Sequence, residues 1–239
     1  MDEKIFDRIE KKYLITAKQK RKILKELKKH MKKDKYFKSG VFNIYFDTDN
    51  YDFIIKSIDR PTFKQKLRAR SYDGYDKVFF ELKTKMLGKD YNVGYKRRVL
   101  ITHKDYDDLV KGRASMLELA SRKIEESSDL QIAKEVDYFM QYFNLKPKIL
   151  VYYDRESYVD DDGLRITFDE NLKYRNKNLK FLKKSSDKAY FKSEKNIIME
   201  IKAHGFLPLW LVNLLSAEHI YPERFSKIGK IYETIRKEK

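Results

Sequence analysis

The chain of 239 residues carries 54 Lys and Arg against 37 Asp and Glu, a formal net charge of +17, with 14% aromatic residues and only 8 Gly and 4 Pro. That composition excludes collagen and wholesale disorder, and the absence of cysteine excludes disulfides, thiolate nucleophiles, Cys-ligated zinc and iron–sulfur clusters. So basic a chain calls for a polyanion, an anionic surface or a highly charged small substrate.

The opening MDEKIFDRIEKKYLI mixes acids and bases and has no apolar h-region, which is unlike a signal peptide. The longest apolar stretch, FLPLWLVNLL at 206–215, is about half of what a bilayer requires. The expectation is a soluble, cytoplasmic protein without membrane insertion, folded as one large domain over 1–239.

Thr16 with Gln19 forms a capping-box pattern, and the following helix puts Ile23, Leu24, Leu27 and Met31 on one stripe. Its many lysines read as a solvated face. VFNIYFDT at 41–48 alternates as a strand. FKQKLRAR at 63–70 and KVFFELKTK at 77–85 alternate likewise and flank YDGYD, a turn with Gly74, so they predict a hairpin. YNVGYKRRVLI at 91–101 is a further strand, followed by a short helix from Thr102 with Asp105 at its N3 position.

Residues 103–146 are helical in pattern. Strands return at 147–159, 163–174 and 195–203, and helices follow Pro208 and Ser226. These patterns predict that Arg165, Thr167 and Asp169 share one side, and that Ile198, Glu200 and Lys202 share another. Hairpin-like turns in place of regular βαβ crossovers predict an antiparallel α+β architecture: a sheet or barrel of about eight strands with peripheral helices.

The basic residues follow the strand period. From Arg60 to Arg98 there are twelve bases and four acids. Like charges across a sheet repel, so such faces gain from a bound anion, although a solubilising surface is the bland alternative. If the sheet closes, interior cations must line a wet tunnel. Glu81 and Glu200 sit on these basic faces. Each reads either as a salt-bridge partner or as a ligand for Mg²⁺ or Mn²⁺, hard ions that accept carboxylate and phosphate oxygens. The four histidines show no metal-binding spacing.

RIEKKYLI, YFDT, KLRAR, FFELKTK, YKRR, YYDRESY, LRITFD, MEIK, LPLW and ERFSKIGK occur in that order from about residue 5 to 235. In content and order they resemble the VTC domain, the polyphosphate polymerase branch of the triphosphate tunnel metalloenzymes. The resemblance implies an eight-stranded antiparallel β-tunnel with peripheral helices. It further implies transfer of the γ-phosphate of ATP to a growing inorganic polyphosphate chain, releasing ADP, with Mn²⁺ or Mg²⁺ as cofactor. By motif, it implies phosphate-binding roles for Lys12, Arg68, Arg70, Lys83, Lys96, Arg155, Arg165 and the C-terminal Lys227, with Arg98 and Lys202 as further lining. Glu200 matches the metal ligand. Ser226 reads as a helix cap or a phosphate contact.

One departure concerns the superfamily's ExExK signature, which is here Arg8, Glu10, Lys12. The lost acid points away from hydrolysing members, and an extra base suits retention of a long polyanion. The chain also has neither an SPX-like region nor a transmembrane segment, so it reads as a stand-alone polymerase domain. Three rivals remain: a metal-dependent triphosphatase or polyphosphatase of the same fold, a basic nucleic-acid-binding domain, and an inert scaffold. No specific nucleic acid is expected.

Overall fold

A computed structural model of the chain describes residues 8–59, 62–73, 76–88, 92–122, 127–191 and 193–238. Its elements are β1 (Arg8–Ile15), α1 (Ala17–Leu27), β2 (Lys32–Asp47), α2 (Asp52–Ile58), β3 (Phe63–Tyr72), β4 (Val78–Leu87), β5 (Asn92–Ile101), α3 (His103–Val110), α4 (Met116–Ser121), α5 (Ser127–Tyr142), β6 (Lys146–Val159), β7 (Arg165–Arg175), β8 (Lys188–Ala189), β9 (Ile197–His204), α6 (Leu209–Ala217) and α7 (Lys227–Lys237). None of the described helices is long and apolar enough to cross a membrane.

The α+β reading holds, but the closed eight-stranded tunnel does not. Nine strands pair in the order β1-β9-β7-β6-β2-β3-β4-β5, with β8 on β7. The path ends at β1 and at β5, and no pairing among the described residues joins them. Antiparallel neighbours such as β3 and β4 follow from local alternation, but β1 and the two-residue β8 do not, so nine strands stand where about eight are expected. Closure depends on the shear between the first and last strands, which no local pattern encodes. β5 is built as an edge: Tyr95, Lys96, Arg97 and Arg98 are all exposed, and charged side chains deter further pairing.

The chain divides into two compact units: residues 1–40, 153–173 and 189–226, and residues 41–152, 174–188 and 227–239. In the first, Tyr13 and Ile15 of β1, Ile166 and Phe168 of β7, and Met199 and Ile201 of β9 pack with Ile23 and Leu27 of α1 and Leu211 and Leu215 of α6. The capping box expected at Thr16 and Gln19 is present. In the second, Ile44, Phe46, Leu67, Phe80 and Val99 pack against Tyr106, Leu119, Val136 and Phe139 of the helices. The Thr102–Asp105 capping box starts α3. Antiparallel pairing of β3 with β4 confirms the hairpin; the Gly74 turn lies outside the described residues.

Helix α1 stops at Leu27, and the lysine-rich segment from Lys32 onward is the start of a 16-residue strand. KKDKYFKSG has no apolar alternation, so nothing local announces a strand there. Its polar side chains are mostly exposed.

Asp47 ends β2 and sits fully buried. It accepts backbone N–H bonds from Thr48 at 2.8 Å, Phe53 at 3.0 Å and Ile54 at 2.8 Å. It thereby caps α2, whose own N-cap residue, Tyr51, is left-handed and makes no side-chain cap. Asp47→Ala strands these amides and is expected to lower stability by about 2 kcal/mol in urea unfolding.

Candidate functional site

In the second unit the strand register assembles rows of cations. Tyr45, Arg68, Glu81 and Arg98 pair successively across β2, β3, β4 and β5, and Lys66, Lys83 and Lys96 form the next row across β3 to β5. Asn43 and Arg70 lie on the other side of the first row. The opposite face of β4 carries Phe80 and Leu82, both buried in the core.

Glu81 is the hub. Its Oε2 is 2.6 Å from Arg68 Nη2 and 3.9 Å from Arg70 Nε, and its Oε1 is 3.3 Å from Lys96 Nζ. Arg68 Nη1 also reaches the Tyr45 hydroxyl at 3.4 Å, and Arg70 Nε donates to Asn43 Oδ1 at 2.8 Å. Arg98 lies over the Phe79 ring at 5.3 Å. Burial pushes the Glu81 carboxyl up, but the charges of Arg68, Arg70 and Lys96 overcome this and bring it down to about 2. Of the two readings open at Glu81, salt-bridge partner describes its contacts. Lys66, directly opposite Lys83, shares its alternation but carries no matching motif of its own.

The first unit holds a second group. Glu10 faces Lys202, Lys12 faces Glu200, Thr167 faces Glu200 and Arg165 faces Lys202. Lys202 Nζ is 2.8 Å from Glu200 Oε1, and Lys12 Nζ is 3.5 Å from Glu10 Oε1 and from the Phe225 carbonyl. Arg155 makes a two-point contact with Asp169, at 2.6 and 2.8 Å. Burial disfavours the Arg155 cation, but the Asp169 charge outweighs it and drives the pKa well above the ordinary guanidinium value. Arg165 Nη2 is 2.6 Å from Asp34 Oδ2, and its Nε donates to Ser157 Oγ at 3.1 Å.

The structure therefore brings Arg68, Arg70, Lys83, Lys96 and Arg98 onto one strand face, and Lys12, Arg155, Arg165, Glu200 and Lys202 onto neighbouring strands. Lys227 opens α7, half-buried in the second unit. A lysine at this positive end of the helix dipole is unfavourable by itself. Asp169, Asp34, Tyr45 and Asn43, which orient the arginines, were not singled out as site residues. Alternation places each on a strand but cannot name its partner.

Among the described residues no group of three or more His, Asp or Glu side chains is placed to hold a cation. Glu10 and Glu200 nevertheless lie diagonally on paired strands. Two hard carboxylates on paired strands are the kind of oxygen donor that Mg²⁺ or Mn²⁺ accepts, with further oxygens completing the shell. The donor set thus suits a hard divalent cation that brings further oxygen ligands.

The depressed Glu81 pKa has a sign that can be tested. Its stabilisation is fully present above the unfolded carboxylate value near 4.5 and is lost as pH falls toward about 2. Acid titration of stability should show about 3 kcal/mol lost over that window. Glu81→Gln should flatten this fall while lowering stability at neutral pH, because Arg68 and Arg70 lose their counter-charge.

Among relatives, the Vacuolar transporter chaperone complex subunit 4 of Schizosaccharomyces pombe is 25% identical over 146 residues, 56% of this chain and 20% of that protein. The chain thus spans about a fifth of that relative's length. A Hippeastrum protein, described as a proposed adenylyl cyclase with a dominant triphosphatase activity, aligns over 95% of this chain and 96% of its own. Its TM-score is 0.55 at 17% identity, a likeness of fold alone. A Pyrococcus horikoshii protein aligns over 95% of this chain and 99% of its own at 15% identity, with a TM-score of 0.46. The family model of the VTC domain matches residues 7–235, nearly the whole chain, and this chain belongs to that family.

Proposed function

We propose that the chain is an enzyme that binds a nucleoside triphosphate or inorganic polyphosphate and cleaves a terminal phosphoanhydride bond, residues 1–239 serving as one VTC-like catalytic domain. The observation that carries this reading is the Lys66–Lys83–Lys96 row beside Arg68, Arg70 and Glu81. Three like charges in direct register repel one another even with Lys96 paired to Glu81, and a bound anion would relieve that repulsion. A chain of phosphates matches both the spacing and the guanidinium forks.

In this reading Arg68, Arg70, Lys83, Lys96 and Arg98 take phosphate oxygens in the second unit, and Lys12, Arg155, Arg165 and Lys202 do so around Glu200 in the first. Lys227 adds a cation at the start of α7. Glu200, with Glu10 beside it, would hold Mn²⁺ or Mg²⁺, which neutralises charge on the phosphate under attack. The phosphate nucleophile or water needs positioning and charge compensation more than a strong base.

Two acceptors are consistent with these residues. Water makes the protein a metal-dependent triphosphatase or polyphosphatase, the reading supported by the shared fold of the Hippeastrum protein and its described activity. A phosphate chain makes it a polyphosphate polymerase that releases ADP, supported by the VTC-domain match over residues 7–235.

Incubation with ATP and Mn²⁺, followed by product analysis, separates them. Orthophosphate without polymer identifies hydrolysis, and ADP with long-chain polyphosphate identifies the polymerase. ATP and tripolyphosphate both left intact would overturn the proposal. Glu200→Gln should lower Mn²⁺-dependent turnover by ~10²-fold or more while leaving the unfolding transition in place.

A further inference from the structure

Thr167 stands in β7 between Arg165 and Asp169 and directly opposite Glu200 of β9. It is 5% exposed, and its hydroxyl has no hydrogen-bond partner among the described residues. Buried hydroxyls are almost always paired, so an orphan on a strand face crowded with charge calls for a reason. Tyr106, the other such hydroxyl among the described residues, lies against Phe46, Phe80 and Phe181 in an aromatic core. Thr167 instead has charged neighbours that are already engaged. Arg165 is held by Asp34 and Ser157, Asp169 by Arg155, and Glu200 by Lys202 at 2.8 Å.

Of these contacts the Lys202–Glu200 pair is the one that bears directly on Glu200, and a phosphate would disturb it. The lysine side chain is about one-third exposed, and an ammonium is a mobile point charge that follows the stronger anion. Directly opposed residues in an antiparallel pair have Cβ atoms about 5 Å apart. Rotation of the glutamate side chain therefore spans the distance to the threonine hydroxyl.

We infer that Thr167 is a positioning residue: when substrate phosphates draw Lys202 away, its hydroxyl donates to the Glu200 carboxylate and holds it for the cation. The orphan hydroxyl is then the unfilled half of a hydrogen bond that forms only in the liganded protein. This inference rests on the phosphate-processing reading above.

The test is calorimetric titration of the full chain with tripolyphosphate, with and without Mn²⁺, at fixed ionic strength, alongside thermal unfolding. Thr167→Val removes the hydroxyl and keeps the branch. It should leave the unliganded Tm unchanged or higher, leave metal-free tripolyphosphate affinity unchanged, and weaken Mn²⁺–tripolyphosphate affinity about tenfold. Thr167→Ser should restore that affinity to within about twofold of the original chain.

If the valine variant binds Mn²⁺–tripolyphosphate as the original chain does, the inference is overturned and the phosphate-processing reading stands. Equal loss with and without Mn²⁺ assigns Thr167 to packing and likewise overturns it. If the original chain does not bind tripolyphosphate at all, the functional reading fails first, and the role of Thr167 fails with it.

Discussion

Repulsion among cations on the strand faces is the constraint around which this protein is arranged. A sheet whose solvent face repeats Lys and Arg at every second position pushes its own strands apart. Here the repulsion is contained by a few carboxylates at chosen crossings. Glu81 gathers Arg68, Arg70 and Lys96, Asp169 grips Arg155, and Asp34 holds Arg165. Each acid is buried or nearly so, where its field is least screened.

The acids are not spread evenly over the faces. Lys66, Lys83 and Lys96 stand in one row, while Glu81 sits one row away. A surface built only for solubility would gain from interspersing acids along that row. Concentrating the acids under the arginines orients the forks. The apolar faces beneath explain how this is tolerated: Phe80, Leu67 and Val99 on one side of the strands, and Ile166, Phe168 and Met199 in the other unit, are fully buried. Their burial supplies the stability against which the charged faces work.

Much of the local structure was legible in order along the chain. The capping boxes at Thr16 and Thr102, the β3–β4 hairpin and the shared side of Arg165, Thr167 and Asp169 follow from short patterns that need no distant partner. Other features, β1 and the short α2 among them, were not legible. The first half of β2 is lysine-rich and mostly exposed, so neither alternation nor apolar content marks it. β8 has only two residues, too few to show a period. The open end at β5 replaces an expected closure because sheet closure is a property of registers summed over all strands.

By itself the sequence determined the charge, the strand period that concentrates it, and membership of the VTC family through motifs spread over nearly the whole chain. Those are local or additive properties, carried by residue type and spacing. Only the tertiary structure decided which acid meets which base: that Glu81 serves three cations, that Asp169 fastens Arg155, that Glu10 and Glu200 lie diagonal to one another, and that the Thr167 hydroxyl finds no hydrogen-bond partner among the described residues. These depend on strand register. Every strand side chain has a face assigned by its own position, but its neighbour across the sheet is set by a segment tens to hundreds of residues away.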